Sequence, residues 1–266
     1  MNTPRRIQPW AFAAPLLAVL SAAACVEPKD GDLVIQQAQV IDRGECIASL
    51  DETLYLSRGT VDLAVAQSYT LFPLVRNNIE NIRETKGYGL RDLRLNTKRV
   101  SLRRARITYR PQDEIDIQLR DREVPLSASV DSTGGVTTVS VELLTPAMAR
   151  EFRNSDQFLL RGSQGEVRPA RTSVDLSVGV VIEGETQDGN AVETNEFVFT
   201  LRVCNGCLVF YPPANIAEEG PAPNCNATTD EEVDFCAVGW ELPVSCSACQ
   251  SFAPDALARQ LCQPPL

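Results

Sequence analysis

The sequence predicts an all-β protein: an antiparallel, immunoglobulin-like β-sandwich with one short helix and a C-terminal disulfide-rich loop segment. Three observations carry that expectation. Apolar residues recur with period two in several runs bounded by turn residues, the pattern of half-buried strands. No βαβ rhythm is present, so a parallel sheet covered by crossover helices is not expected. Beyond residue 210, prolines and cysteines crowd together and apolar periodicity fades.

Taken in order, Leu33 to Ile41 is a Val- and Ile-rich first strand, closed by a turn at Gly44-Glu45-Cys46. Thr60 to Val75 comes next, with Val61, Leu63 and Val65 alternating against Asp62 and Ala64. Pro73 places the end of that strand at a sheet edge or outside it, because proline donates no ladder hydrogen bond. Asn77-Asn78 supplies turn chemistry. Ile79 to Leu95 reads as a loop with a helical turn, punctuated by Gly87 and Gly89. Val100 to Arg110 is a strand with Ala105, Ile107 and Tyr109 on one face, stopped by Pro111. Ile115, Ile117 and Leu119 form a further alternation, and Leu126, Ala128 and Val130 another. Ser132-Thr133-Gly134-Gly135 is a hairpin signal ahead of Val139, Val141 and Leu143. Thr145-Pro146 is an N-cap and first-turn pair, predicting a helix over Pro146 to Asn154. Val174, Leu176, Val178, Val180 and Ile182 share one face, Asp188-Gly189 tolerates the positive φ of a tight turn, and Phe197, Phe199, Leu201 and Val203 return. This hairpin is the expected centre of the core. Residues 33–210 exceed the ~100 residues of a simple immunoglobulin domain, so extra strands or long loops are expected. In the tail a brief helix is expected over Asp255 to Leu261.

The N-terminus reads as an export signal over residues 1–24. Arg5 and Arg6 precede an apolar run from Trp10 to Leu20, too short to span a bilayer, and Ala22-Ala23-Ala24 is a small-residue cleavage site. Cys25 would then be the first mature residue and the point of lipid attachment, with residues 25–32 as a polar tether. The competing reading is plain secretion, with Cys25 left as a thiol. Parity favours the lipid: of nine cysteines, removing Cys25 leaves Cys46, Cys204, Cys207, Cys225, Cys236, Cys246, Cys249 and Cys262, an even set suited to bridges in an oxidising compartment. Residues 211–266 hold five of these among many prolines and are expected to be stapled, because they cannot bury enough apolar surface alone.

Composition narrows the chemistry. Without its first 24 residues the chain has 23 basic and 35 acidic residues, a net charge of −12, which argues against nucleic-acid binding. There is no histidine, so Ser-His-Asp, Cys-His and His-ligated metal sites are excluded. No catalytic residue, metal or cofactor is expected. Cys204-Asn205-Gly206-Cys207 and Cys246-Ser247-Ala248-Cys249 are C-x-x-C pairs whose alternatives are a zinc site, a redox couple or structural bridges. The extracellular setting favours bridges, with Cys46 tied to a downstream cysteine. Residues 91–110 carry eight basic side chains and one acid, a possible anionic-ligand patch centred on Arg94, Arg99, Arg103, Arg104 and Arg106. The favoured alternative is a solvated strand face neutralised by Asp113, Glu114 and Asp116 just downstream. Asp230 to Asp234 lacks the Asp/Asn ladder and Gly of a calcium loop, so a solvated acidic loop is expected. Asn226-Ala227-Thr228 matches a glycosylation acceptor, a signal without force in a bacterial host.

Two stretches, Tyr69-Thr70-Leu71-Phe72-Pro73-Leu74-Val75-Arg76-Asn77-Asn78 and Phe197 to Val209 with its Val-Cys-Asn-Gly-Cys-Leu-Val ending, resemble the cysteine-containing lipoproteins of predatory and soil bacteria. The resemblance implies a surface or periplasmic lipoprotein and transfers no activity. The expected function is therefore a membrane-anchored, non-enzymatic lipoprotein of the cell envelope, serving structure, adhesion or ligand binding. Its partners would be the membrane, through the lipid, and an envelope protein or polysaccharide. The alternatives are a carboxylate-dependent envelope enzyme and a C-x-x-C metal or redox protein.

Overall fold

Val174, Leu176, Val178, Val180 and Ile182 are buried side by side along one 14-residue strand. The computed structural model describes residues 31–42, 44–80, 97–211, 225 and 236–264. The expected signal segment, Cys25, Arg91, Arg94, Asn226 and Asp230 to Asp234 lie outside the described residues, as does the expected Ile79 to Leu95 loop beyond residue 80.

In chain order the strands are β1 (Leu33–Gln39), β2 (Ile41–Asp42), β3 (Ile47–Ala48), β4 (Tyr55–Leu56), β5 (Arg58–Asp62) and β6 (Tyr69–Leu71). Next come β7 (Pro73–Asn77), β8 (Val100–Pro111), β9 (Arg122–Val130), β10 (Gly135–Thr138) and β11 (Val141–Leu144). Helix α1 (Pro146–Asn154) leads to β12 (Leu159–Arg161), β13 (Val167–Pro169), β14 (Ser173–Thr186), β15 (Ala191–Glu193), β16 (Phe197–Cys204) and β17 (Val209–Phe210). The chain continues with β18 (Val244–Ser245), α2 (Cys246–Phe252) and α3 (Ala256–Leu261).

The protein is all-β in class, with several sheets. A six-stranded sheet runs β5-β16-β14-β8-β9, with β15 also against β14. A four-stranded sheet runs β10-β7-β1-β4, and β6 pairs with β11 beside it. Inward residues of both sheets, among them Leu33, Ile35, Val75, Ile107, Val178 and Phe199, join one hydrophobic cluster. The predicted hairpin stands at its centre: β14 pairs with β16 from Ser173↔Cys204 to Val180↔Phe197, and with β8 on its other side. Thr145 caps α1 by accepting the Met148 amide at 3.2 Å, and the helix buries Ala149 and Phe152, as its sequence predicts.

Several expectations are corrected. The sheets are not purely antiparallel: β5 runs parallel to β16, and β17 to β18. Leu63 and Val65 do not extend β5. The Asp62 carboxylate accepts the Ala64 amide and its carbonyl accepts those of Val65 and Ala66, so the chain turns while all four residues of 63–66 stay buried. Pro73 is not at an edge. It opens β7, which pairs on both sides, and a first-residue proline costs such a strand little. Residues 112–121 form no strand; Ile115, Ile117 and Leu119 instead pack partly buried against the core. The turn after Val130 makes no hairpin, because β9 belongs to the six-stranded sheet and β10 to the four-stranded one. It carries the chain between sheets. Finally, there are three helices among the described residues where one was expected over the sandwich and one in the tail.

The tail packs on the sheets. Trp240 bridges to Val61 of β5, and Ala64, Val65 and Val209 form a second cluster with Cys246, Cys249, Leu261 and Cys262. Four bridges join Cys46–Cys236, Cys204–Cys207, Cys225–Cys246 and Cys249–Cys262. No helix among the described residues is long and apolar enough to cross a membrane.

Candidate functional site

Where β1 hands over to β2, a groove of about 540 Å3 opens against β6 and the segment 237–242. Its walls are apolar, from Val40, Ile41, Leu56, Leu71, Phe72 and Leu242. The size lies within the range of small-molecule sites. Leu242 of the lining is exposed, and the 47–55 segment carries four more exposed apolar side chains, Ile47, Leu50, Leu54 and Tyr55.

Tyr69 anchors this region. Its ring lies 4.8 Å from that of Trp240, and its hydroxyl donates to Glu241 Oε1 at 2.7 Å. Burial and the neighbouring Glu241 carboxylate push its pKa well above the usual 10.0. The position exists because residue 59 is glycine: a Cβ there would lie 2.2 Å from the Tyr69 hydroxyl. Trp240 is held in turn by its indole N–H, which donates to the Ser68 carbonyl at 2.8 Å. Cys46 and Glu241 both adopt positive φ, at 56° and 51°, a conformation costly for non-glycine residues and concentrated at functional sites.

Gln39 is the unusual member of the lining. It is 1% exposed, and neither its amide nitrogen nor its amide oxygen has a hydrogen-bond partner. A buried polar group left unpaired costs ~1–3 kcal/mol. Two carboxylates also line the groove, and both are engaged: Asp42 Oδ1 accepts the Gly44 amide and Glu241 accepts the Tyr69 hydroxyl.

A second constellation surrounds Asp62, which is completely buried. Its carboxylate accepts the amides of Ala64, Gly206 and Leu208 at 2.9, 2.6 and 2.7 Å. Burial raises its pKa, against the three N–H donors and the Arg171 guanidinium. One carboxylate oxygen and the sulfurs of Cys204 and Cys207 lie within 4.8 Å of one another. Those sulfurs are bonded to each other, so in this state they are not metal ligands. The two C-x-x-C motifs thus differ. Cys204 and Cys207 pair together, whereas Cys246 and Cys249, at the start and middle of α2, bond to Cys225 and Cys262.

The arginines of β8 face carboxylates across the sheet. Arg104 and Arg106 share Glu183, at 2.5 and 3.2 Å, and Arg106 also meets Glu193. Arg99 pairs with Asp131, Arg103 with Glu185 and Arg110 with Glu196. The neutralising acids are therefore on the paired and adjoining segments of the sheet. Of the residues expected to do this, Asp113 instead accepts the Asp175 amide.

Sequence reading missed Gln39, Tyr69, Trp240 and Asp62. One signal was available: Trp240 is one of only two tryptophans in the sequence, the other being Trp10. No family model, curated protein or solved structure matches the chain.

Proposed function

We propose that the chain is an exported lipoprotein of the cell envelope, held to the membrane through Cys25, whose immunoglobulin-like sandwich is a non-catalytic ligand-binding module. The ligand is a small apolar molecule carrying one amide-like group, seated in the groove. Cysteine pairing supports the tether: the eight cysteines other than Cys25 are all consumed in four bridges. The two sheets' shared core supports the sandwich. The single observation that carries the ligand is Gln39, whose donor and acceptor are both unspent inside an apolar lining. β1 separates the tether from the groove by its own length, roughly 20 Å at ~3.3 Å per residue. A lipid on Cys25 would thus leave the groove at the far end of β1.

The test uses Trp240, which reports alone once the export segment is absent. Decanamide is expected to change its emission saturably, and decane-chain alcohols less so. Gln39→Leu is expected to weaken decanamide binding about tenfold, from the loss of hydrogen bonds worth ~0.5–1.5 kcal/mol each. The same substitution should stabilise the ligand-free protein by ~1–3 kcal/mol, because it removes an unpaired buried amide. A destabilised Gln39→Leu protein together with an unresponsive Trp240 would end this reading.

A further inference from the structure

We propose that Cys204–Cys207 is a working thiol–disulfide exchange couple, with Cys207 as the sulfur that outside thiols attack and Asp62 as the group that exchanges a proton with Cys204.

Three features separate this bridge from the others. Cys204 is buried at the end of β16 while Cys207, three residues on, is exposed, so attack has one open direction. The loop between them is held by contacts other than the bridge. Asp62 takes the Gly206 and Leu208 amides, Asn205 donates through its backbone to Thr172 and through its side chain to Ala170, and Arg171 donates to the Gly206 carbonyl. The loop can therefore keep its shape when the sulfurs part. Among the described residues this is also the one cysteine pair clustered with a carboxylate, one Asp62 oxygen and both sulfurs lying within 4.8 Å of one another. Burial raises the carboxyl's pKa, against its three N–H donors and Arg171, so the group that faces the sulfurs is a carboxyl whose proton burial favours.

A thiolate of an external dithiol attacks Cys207 Sγ. A new intermolecular S–S bond forms, the Cys204–Cys207 bond breaks, and its electron pair leaves on Cys204 Sγ, which takes its proton from the Asp62 carboxyl. The dithiol's second thiolate then displaces Cys207, which is protonated from solvent. The dithiol is oxidised by two electrons and the protein bridge is reduced. In reverse, with an external disulfide as oxidant, Asp62 takes the Cys204 proton as the bridge closes.

The experiment reduces the native protein with dithiothreitol, quenches by alkylation and counts each bridge by mass spectrometry. Cys46–Cys236 serves as the internal reference, since Cys46 is also exposed and no carboxylate cluster among the described residues includes it. Asp62→Asn is expected to slow opening of Cys204–Cys207 about tenfold relative to Cys46–Cys236. Closure by oxidised glutathione should slow equally, leaving the equilibrium unchanged. A carboxylate that only holds the loop predicts the opposite sign, with faster opening and a shifted equilibrium, and that result overturns the proposal. Wild-type protein supplies a measurement that does not depend on the variant folding. Opening of Cys204–Cys207 should be slower in heavy water by a factor that Cys46–Cys236 does not show, and equal factors overturn the proposal as well.

Discussion

Gly59 shows how narrowly single atoms decide the groove. It lies under Tyr69, where a methyl group would fall 2.2 Å from the hydroxyl and 3.0 Å from the Phe199 ring. Neither neighbour is the end of a flexible chain. Gly59→Ala should therefore cost ~1–3 kcal/mol in a urea melt, the usual range for overpacking, and shift Trp240 emission as Tyr69 is displaced. An unchanged melt would mean that Tyr69 is not fixed where it stands. Asp188 offers a contrasting, electrostatic case. Lys98, at 2.5 Å, and the Thr186 hydroxyl hold its carboxyl down at about 2, below the ordinary 3.8. A lowered folded-state pKa stabilises above 3.8, and that contribution is lost as pH falls toward 2. Thermal melts of wild type and Asp188→Asn should converge over that interval. The difference above it should shrink with salt, because the pair is exposed.

At the level of strands, the row of arginines on β8 is an ion-paired face, and Glu183 is its hinge. It serves Arg104 and Arg106 together and is the least exposed of the acids in the row. Glu183→Gln should change stability little, since both arginines are half exposed and screened. It should nevertheless lengthen retention on a heparin column, because two guanidiniums lose a carboxylate. Wild-type retention already equal to that of the variant would mean the row acts as a free cationic patch. The same strands show what sequence can convey. β8, β14, β16 and α1 were legible because alternation and capping are local, and their buried faces repeat at the expected spacing. Pairing is not local. Ser132 to Gly135 has hairpin residues, yet β10, which begins there, pairs with β7 rather than β9. The acids opposing β8 lie on β9, β14, β15 and adjoining loops, most of them distant in sequence. Likewise Gln39 and Trp240 reach one groove from opposite ends of the described chain, which no spacing rule anticipates.

For the molecule as a whole, the four bridges should contribute according to the chain they enclose. Their sequence separations are 190, 21, 13 and 3 residues, taking Cys46–Cys236, Cys225–Cys246, Cys249–Cys262 and Cys204–Cys207 in turn. Loop-closure entropy assigns about 5 kcal/mol to the first, about 3 kcal/mol to each of the next two and under about 2 kcal/mol to the last. Replacing Cys46 and Cys236 with alanine should therefore lower the urea midpoint most, and replacing Cys204 and Cys207 least. The first pair also bears on the groove. Cys46 lies two residues beyond Gly44 and Cys236 immediately before Ala237, and both Gly44 and Ala237 line it. Cutting that bridge releases both rims, so decanamide binding read at Trp240 should weaken along with stability. Cutting Cys204–Cys207 should leave binding intact, because the Asp62 contacts hold that loop separately. Equal losses of stability from the two pairs would show that the bridges act by local strain relief rather than by closing chain. Intact binding without Cys46–Cys236 would show that packing of Trp240 on Tyr69 suffices to form the groove.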